Sequence, residues 1–165
     1  MPLLAASLAL IVTMALGGLA TGAHAEDGGA RPVSPAAQDV LQQRTGVMTI
    51  VMRIGDRTVA ATLDDNPTSR DFVRLLPLTL TLDDYAATEK VSYLPRKLTR
   101  DASPAGVDPS IGDIAYYAPW GNLAIFYKDF GYSTGLIKLG AIRSGLELLT
   151  TPGPVRVTIE RDAGS

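Results

Sequence analysis

The stretch from Gly112 to Tyr132, GDIAYYAPWGNLAIFYKDFGY, constrains the fold more than any other part of the chain. Two strand-like runs, Asp113 to Ala118 and Asn122 to Lys128, are separated by Pro119-Trp120-Gly121. Proline fixes φ and glycine accepts a positive φ, the two things a tight connection requires, so the spacing predicts a β-hairpin. Along Asn122 to Lys128, Leu123, Ile125 and Tyr127 share one face, while Ala124, Phe126 and Lys128 share the other. Both faces are largely apolar. Such a strand is central in its sheet, with core against one face and a groove or second layer against the other.

Alternating runs surround this hairpin. Met48, Ile50, Met52 and Ile54 alternate with Thr49, Val51 and Arg53, and Gly55-Asp56 turns the chain into a return strand carrying Val59, Ala61 and Leu63. Asp64-Asp65-Asn66-Pro67 then opens a helix, with Asn66 as N-cap and Pro67 at the first helical position, where no backbone donor is needed. Phe72, Val73, Leu75 and Leu76 are its expected inward face, Arg70 and Arg74 its outward one, and Pro77 ends it. Leu78, Leu80 and Leu82 alternate in a third strand, and Val91 to Leu94 form a shorter one. Pro95 to Ser110 reads as loop. Gly135 to Ile142 reads as strand, Ser144 to Leu149 as a brief helix, and Val155, Val157 and Ile159 as a closing strand. The class is mainly β, a closed or nearly closed barrel capped by two short helices.

Residues 3–20 are almost wholly apolar and uncharged, and Ala23-His24-Ala25 follows them before the polar Glu26-Asp27. That pattern predicts a signal peptide over 1–25, cleaved after Ala25, although no Lys or Arg precedes the apolar run. The alternative is an uncleaved membrane anchor, since the run is near the ~18-residue lower limit for spanning a bilayer. Residues 26–46 are rich in Gly, Ala, Pro and Gln and read as a flexible linker. The folded domain is expected over 47–161, and the protein is expected outside the cytoplasm, periplasmic or extracellular, with no membrane contact once cleaved.

Composition excludes several chemistries. The one histidine is His24, inside the segment expected to be cleaved, and there is no cysteine. A mature chain without either has no Ser-His or Cys-His nucleophile, no ordinary zinc or copper site and no disulfide. The formal net charge is -2 and the basic residues are scattered, so nucleic acid is not an expected partner. No phosphate-cradling glycine motif occurs, and neither a cofactor nor a metal is expected.

The order of the elements, with DNPTSRDFVRLLP opening the helix and LTLTL, GDIAYY, LAIFYKDF, IKLGAI and VRVTIE after it, resembles the small bacterial cyclophilin-like domains over about Thr49 to Glu160. The resemblance implies an eight-stranded barrel with a helix at each end. In the prolyl isomerases of this fold, an Arg on a Phe-His-Arg segment polarises the prolyl amide, and a Gln and several aromatics complete the groove. The similar segment here, Glu89 to Leu94, has neither the His nor the Arg, and Leu123 and Ile125 stand where the isomerase strand carries Gln and Phe. The resemblance therefore implies no catalytic residue. It leaves two expectations: an exported binding module for a proline-containing peptide or small ligand, and a weak prolyl isomerase lacking the usual Arg.

The groove expected on this reading is lined by Tyr116, Trp120, Leu123, Ile125, Phe126 and Tyr132. Tyr and Trp combine an apolar face with a polar handle, as binding surfaces require. For Phe126 and Trp120 the competing reading is simple core packing. Arg53 reads as part of a solvated strand face, and Asp64-Asp65 and Asp83-Asp84 as turn and capping residues rather than acid–base pairs. Lys90 and Lys128 have a catalytic reading only if they are buried.

Overall fold

The computed structural model describes residues 48–162, and the expected signal peptide and linker lie outside the described residues. Among the described residues there are ten strands: β1 (Met48–Ile54), β2 (Arg57–Leu63), β3 (Leu78–Tyr85), β4 (Glu89–Tyr93), β5 (Gly106–Val107), β6 (Asp113–Tyr117), β7 (Asn122–Phe126), β8 (Ser133–Thr134), β9 (Leu136–Ser144) and β10 (Val155–Arg161). Eight of them close a barrel in the order β1-β10-β3-β4-β7-β6-β9-β2, every neighbouring pair antiparallel. The remaining two, β5 and β8, pair with each other outside it. The barrel architecture is the expected one, and closure leaves none of its eight strands with a bare edge.

Strand alternation decides what fills the barrel. Ile50, Met52, Val59, Ala61, Leu63, Leu82, Ile114, Tyr116, Leu123, Ile125, Leu139, Val157 and Ile159 form one continuous buried core. Their neighbours in sequence point outward, as a period of two demands. The Tyr116 hydroxyl is buried with its ring and accepts the backbone N–H of Leu98 at 3.1 Å. This contact ties the 95–110 loop to the barrel.

Helix α1 (Pro67–Val73) begins as the sequence predicts. Asn66 Oδ1 accepts the N–H of Ser69 at 2.8 Å, and its Nδ2 donates to the Lys138 carbonyl at 3.1 Å. A cap of this type contributes about 0.5–2 kcal/mol. The helix buries Phe72 and Val73 against the core. Leu75 and Leu76 lie beyond its last turn, half-buried and packed against the same core, so the inward face continues past the helix. Asp71, near the end of the helix, is buried and takes both Arg96 Nη1 and Nη2, at 2.9 and 2.7 Å, together with the N–H of Thr99. The Arg96 hydrogen bonds hold its carboxyl at a pKa of about 2, despite the opposing effect of burial. This network anchors the loop expected from Pro95 to Ser110.

The second cap is a single 3₁₀ turn, Leu146–Leu149, not an α-helix, and β9 runs on to Ser144 before it. Gly145 links the two at φ +86°, and a Cβ there would meet the Thr58 carbonyl oxygen at 2.9 Å, so only glycine fits. The turn still inserts Leu148 and Leu149 into the core.

Several acidic side chains take structural roles. Asp65 pairs with Arg70 and Arg53 with Glu160, both at the surface. Asp84 accepts from Lys90, Tyr127 and the Gly153 N–H. Each of these carboxylates is paired with a cation, an arrangement that suits structure and not acid–base work. Among the described residues there is also no cluster of His, Cys, Asp and Glu suited to a metal ion, and no helix long and apolar enough to cross a membrane.

Candidate functional site

The hairpin β6–β7 presents two faces, and register assigns each residue to one of them. Ile114 lies opposite Ile125 and Tyr116 opposite Leu123, so these four share the barrel interior. Ala115 lies opposite Ala124 and Tyr117 opposite Asn122, so these share the outer surface. Across the next boundary, Glu89 of β4 opposes Phe126 and Val91 opposes Ala124, extending the outer face. Ala115, Ala124, Phe126 and Leu136 form a second buried cluster there, flanked by Val91, Val107 and Tyr117. Alanine side chains end at Cβ and leave room above them. Larger side chains from the margins close over that room.

The turn from Ala118 to Gly121 builds one margin. The Gly121 N–H donates to the Tyr117 carbonyl at 2.8 Å, and Gly121 takes φ +75°, a value that glycine adopts without strain. This turn carries Trp120 out over the outer face, where the indole stands edge-on to Tyr85 (5.5 Å between ring centroids, 84°) and to Tyr117 (5.4 Å, 79°). Trp120 remains 47% exposed. On the other side Phe130 meets Phe126 at 5.8 Å. The result is a cavity of about 150 Å³ lined by aromatic rings together with Glu89, Asn122, Ser133 and Leu136.

Two polar atoms in this lining are buried without a hydrogen-bond partner among the described residues, Glu89 Oε2 and Asn122 Oδ1. Asn122 is 4% exposed. A buried acceptor left unmet costs roughly 1–3 kcal/mol, so two of them on residues that line one small cavity require an explanation. Burial pushes the Glu89 carboxyl up to about 7 from an ordinary 4.5. A larger hollow of about 330 Å³ lies beside Asp84, Tyr127 and Lys128. Its Asp84 is already committed to Lys90, Tyr127 and Gly153, so it offers a ligand less.

Of the residues expected to line a groove, Trp120 and Phe126 do line this one. Phe126 is buried, but on the outer face, as the cavity floor and not as barrel filling. Tyr116, Leu123 and Ile125 are instead sealed inside the barrel, because each is one residue out of phase with the outer face. Tyr132 is 60% exposed and lies outside the lining. The sequence reading missed Tyr85, Glu89, Tyr117 and Asn122. The signal for Asn122 was present: it is a lone polar residue opening an apolar strand directly after the turn glycine. Lys90 is fully buried, the condition for a catalytic reading. Yet its ammonium lies in the barrel, bonded to Asp84, Thr151 and Gly153, and turned away from the cavity by strand alternation.

No curated protein matches the chain. Among solved structures, a hypothetical protein from Archaeoglobus fulgidus, determined in solution, is similar at a TM-score of 0.54 and 18% identity, over 73% of this chain and 98% of that one. At that identity the likeness concerns the fold. The model of the cyclophilin-like family matches residues 52–160, from the first barrel strand to the last. Barrel closure, strand order and this match over most of the described residues agree, and the chain belongs to the cyclophilin-like family.

Proposed function

We propose that the domain is a binding module that holds a small ligand in the outer cleft between Trp120, Tyr85 and Phe126. The observation that carries this reading is the deeply buried Asn122, a lining residue of an aromatic cavity whose side-chain oxygen has no partner among the described residues. An apolar concavity with a few convergent polar groups is the usual form of a small-molecule site. The cavity volume of about 150 Å³ suits a single ring, a short chain or one inserted side chain. The isomerase alternative draws no support from this lining. The cleft offers a carboxyl and a carboxamide oxygen but no guanidinium, so it lacks the electrostatic donor on which amide rotation depends.

Ligand-detected NMR with three probes of one shape, phenethylamine, phenethyl alcohol and phenylacetate, tests the reading. At least one probe is expected to bind the full chain, and Trp120→Ala is expected to weaken that binding by roughly 1–2 kcal/mol, as for an aromatic anchor. The melting temperature should move little, because the indole is half exposed. Binding that survives Trp120→Ala undiminished would place the site elsewhere. A loss of roughly 3–5 kcal/mol of stability would make Trp120 a core residue.

A further inference from the structure

The polar groups of the cleft are of one kind where burial is deepest. Glu89 Oε2 and Asn122 Oδ1 are both acceptors, and both lack a donor among the described residues. They stand toward different ends of the cleft floor: Glu89 is opposite Phe126, Asn122 is opposite Tyr117, and Ala124 lies between. Among the described residues no Lys, Arg or second carboxylate joins Glu89 in the lining. Around it stand the rings of Tyr85, Tyr117, Trp120, Phe126 and Phe130. Aromatic faces attract cations through their quadrupole, most strongly where water is excluded.

We infer that the cleft selects a small organic ammonium ion, a protonated primary or secondary amine on an apolar body about the size of one ring, with its N–H groups directed to Glu89. This rests on the cleft being a ligand site at all, the reading given above. An anionic ligand would bring its charge against Glu89. A neutral alcohol supplies the hydrogen bond but not the charge. A quaternary ammonium supplies the charge but has no N–H for either orphan acceptor. A protonated primary or secondary amine alone answers both needs, and its apolar body replaces water against Trp120 and Phe126.

The carboxyl of Glu89 is pushed up to about 7 by burial. Below that value the free cleft holds a neutral carboxyl, and ammonium binding must displace its proton. Affinity should therefore rise between pH 6 and pH 8, while an alkylamine with a pKa near ~10.4 stays protonated throughout. The titratable groups on the elements packed beside Glu89 are the phenols of Tyr85 from β3, Tyr117 from β6 and Tyr127 just past β7, together with the carboxylate of Asp83, which shares the outer face of β3 with Tyr85. Burial and Asp84 push the Tyr127 phenol further up, away from this window.

The test is calorimetric titration of the full chain with phenethylamine, phenethyl alcohol and phenylacetate at pH 8, repeated with Glu89→Gln. Phenethylamine is expected to bind at least ten times tighter than the alcohol, and phenylacetate weakest of all. Glu89→Gln should bring the amine and the alcohol within about threefold of each other, and amine binding to the native chain should weaken several-fold at pH 6. A melting curve of Glu89→Gln, a near-isosteric change, checks that the variant is folded. Asn122→Ser serves as a second variant: it should weaken the amine while keeping the preference for amine over alcohol. Equal binding of amine and alcohol by the native chain would overturn the ammonium reading and leave the cleft a ligand site. Binding of none of the three would remove the cleft reading itself.

Discussion

Lys90→Ala should lower the stability of the domain by about 3–5 kcal/mol, the largest effect expected of any single substitution here. The side chain is fully buried, and each of its three N–H groups has a partner: Asp84 Oδ1 at 2.7 Å, the Thr151 carbonyl at 2.9 Å and the Gly153 carbonyl at 2.6 Å. An ammonium has three donors. All are spent on the fold, and none remains for a substrate. Removing them leaves two carbonyls and Asp84 short of a donor and a void where the aliphatic stem packed. Lys90→Met separates the two causes, because it keeps most of the stem and removes only the charge. Urea denaturation reads both. A loss below about 1 kcal/mol for the alanine variant would mean that Lys90 is free to do something other than hold β3, β4 and the 151–153 segment together.

Glu89→Gln should do the opposite and stabilise the free protein, but only at higher pH. The carboxyl has a pKa of about 7 when folded against 4.5 in its ordinary state. Between these values the folded chain keeps a proton that the unfolded chain releases, so stability falls as pH rises through the window and the penalty is complete above 7. At ~1.36 kcal/mol per pKa unit the penalty reaches about 3 kcal/mol at pH 8 before solvent screening reduces it, and it is nearly absent near pH 4. Glutamine fills nearly the same space without the charge. Melting temperatures of native chain and variant should thus be close at pH 4.5 and separate at pH 8, the variant higher. An equal difference at both values would mean that the carboxyl titrates normally in the folded state. On the proposed reading, a bound cation would offset that cost of burial.

Much of the architecture was legible in the residues. Alternation at Met48 to Ile54 and at Leu78 to Leu82, the Asn66-Pro67 helix start and the Pro-Trp-Gly connection each state a local preference that the barrel fulfils. The strand Asn122 to Phe126 carried the most information, because two apolar faces require cover on both sides, and the structure supplies barrel core on one and the aromatic cleft on the other. What alternation could not supply was its phase. Tyr116 and Tyr117 are chemically alike and adjacent, and only the closure of the sheet decides which enters the barrel. Tyr116, Leu123 and Ile125, expected in the groove, are the interior set, one residue out of phase with it. The phase of the neighbouring Tyr117 and Asn122 would have given the outer set.

The turn between β3 and β4 was silent for a different reason. Ala86 and Ala87 both take positive φ, 50° and 53°, where Gly or Asn would have announced a tight hairpin. That turn sets the register that brings Tyr85 beside Glu89, so two cleft residues depend on a feature with no sequence signature. Glu89 itself looks like any surface acid in a charged dipeptide with Lys90. Its significance comes from strand parity: the lysine turns into the barrel and the glutamate is left under the aromatic rim.

The central claim is that the outer face of β4, β6 and β7 is where this protein meets its ligand. Chemical-shift mapping by ¹⁵N NMR, with phenethylamine titrated into the full chain at pH 8, tests it most directly. The predicted result is a saturable shift of the Trp120 indole N–H, the Asn122 side-chain amide and the backbone amides of Glu89 and Phe126, with the hollow beside Lys128 unaffected. Saturable shifts confined to Lys128 and Thr150, or no saturable shift at Trp120 and Asn122, would contradict it.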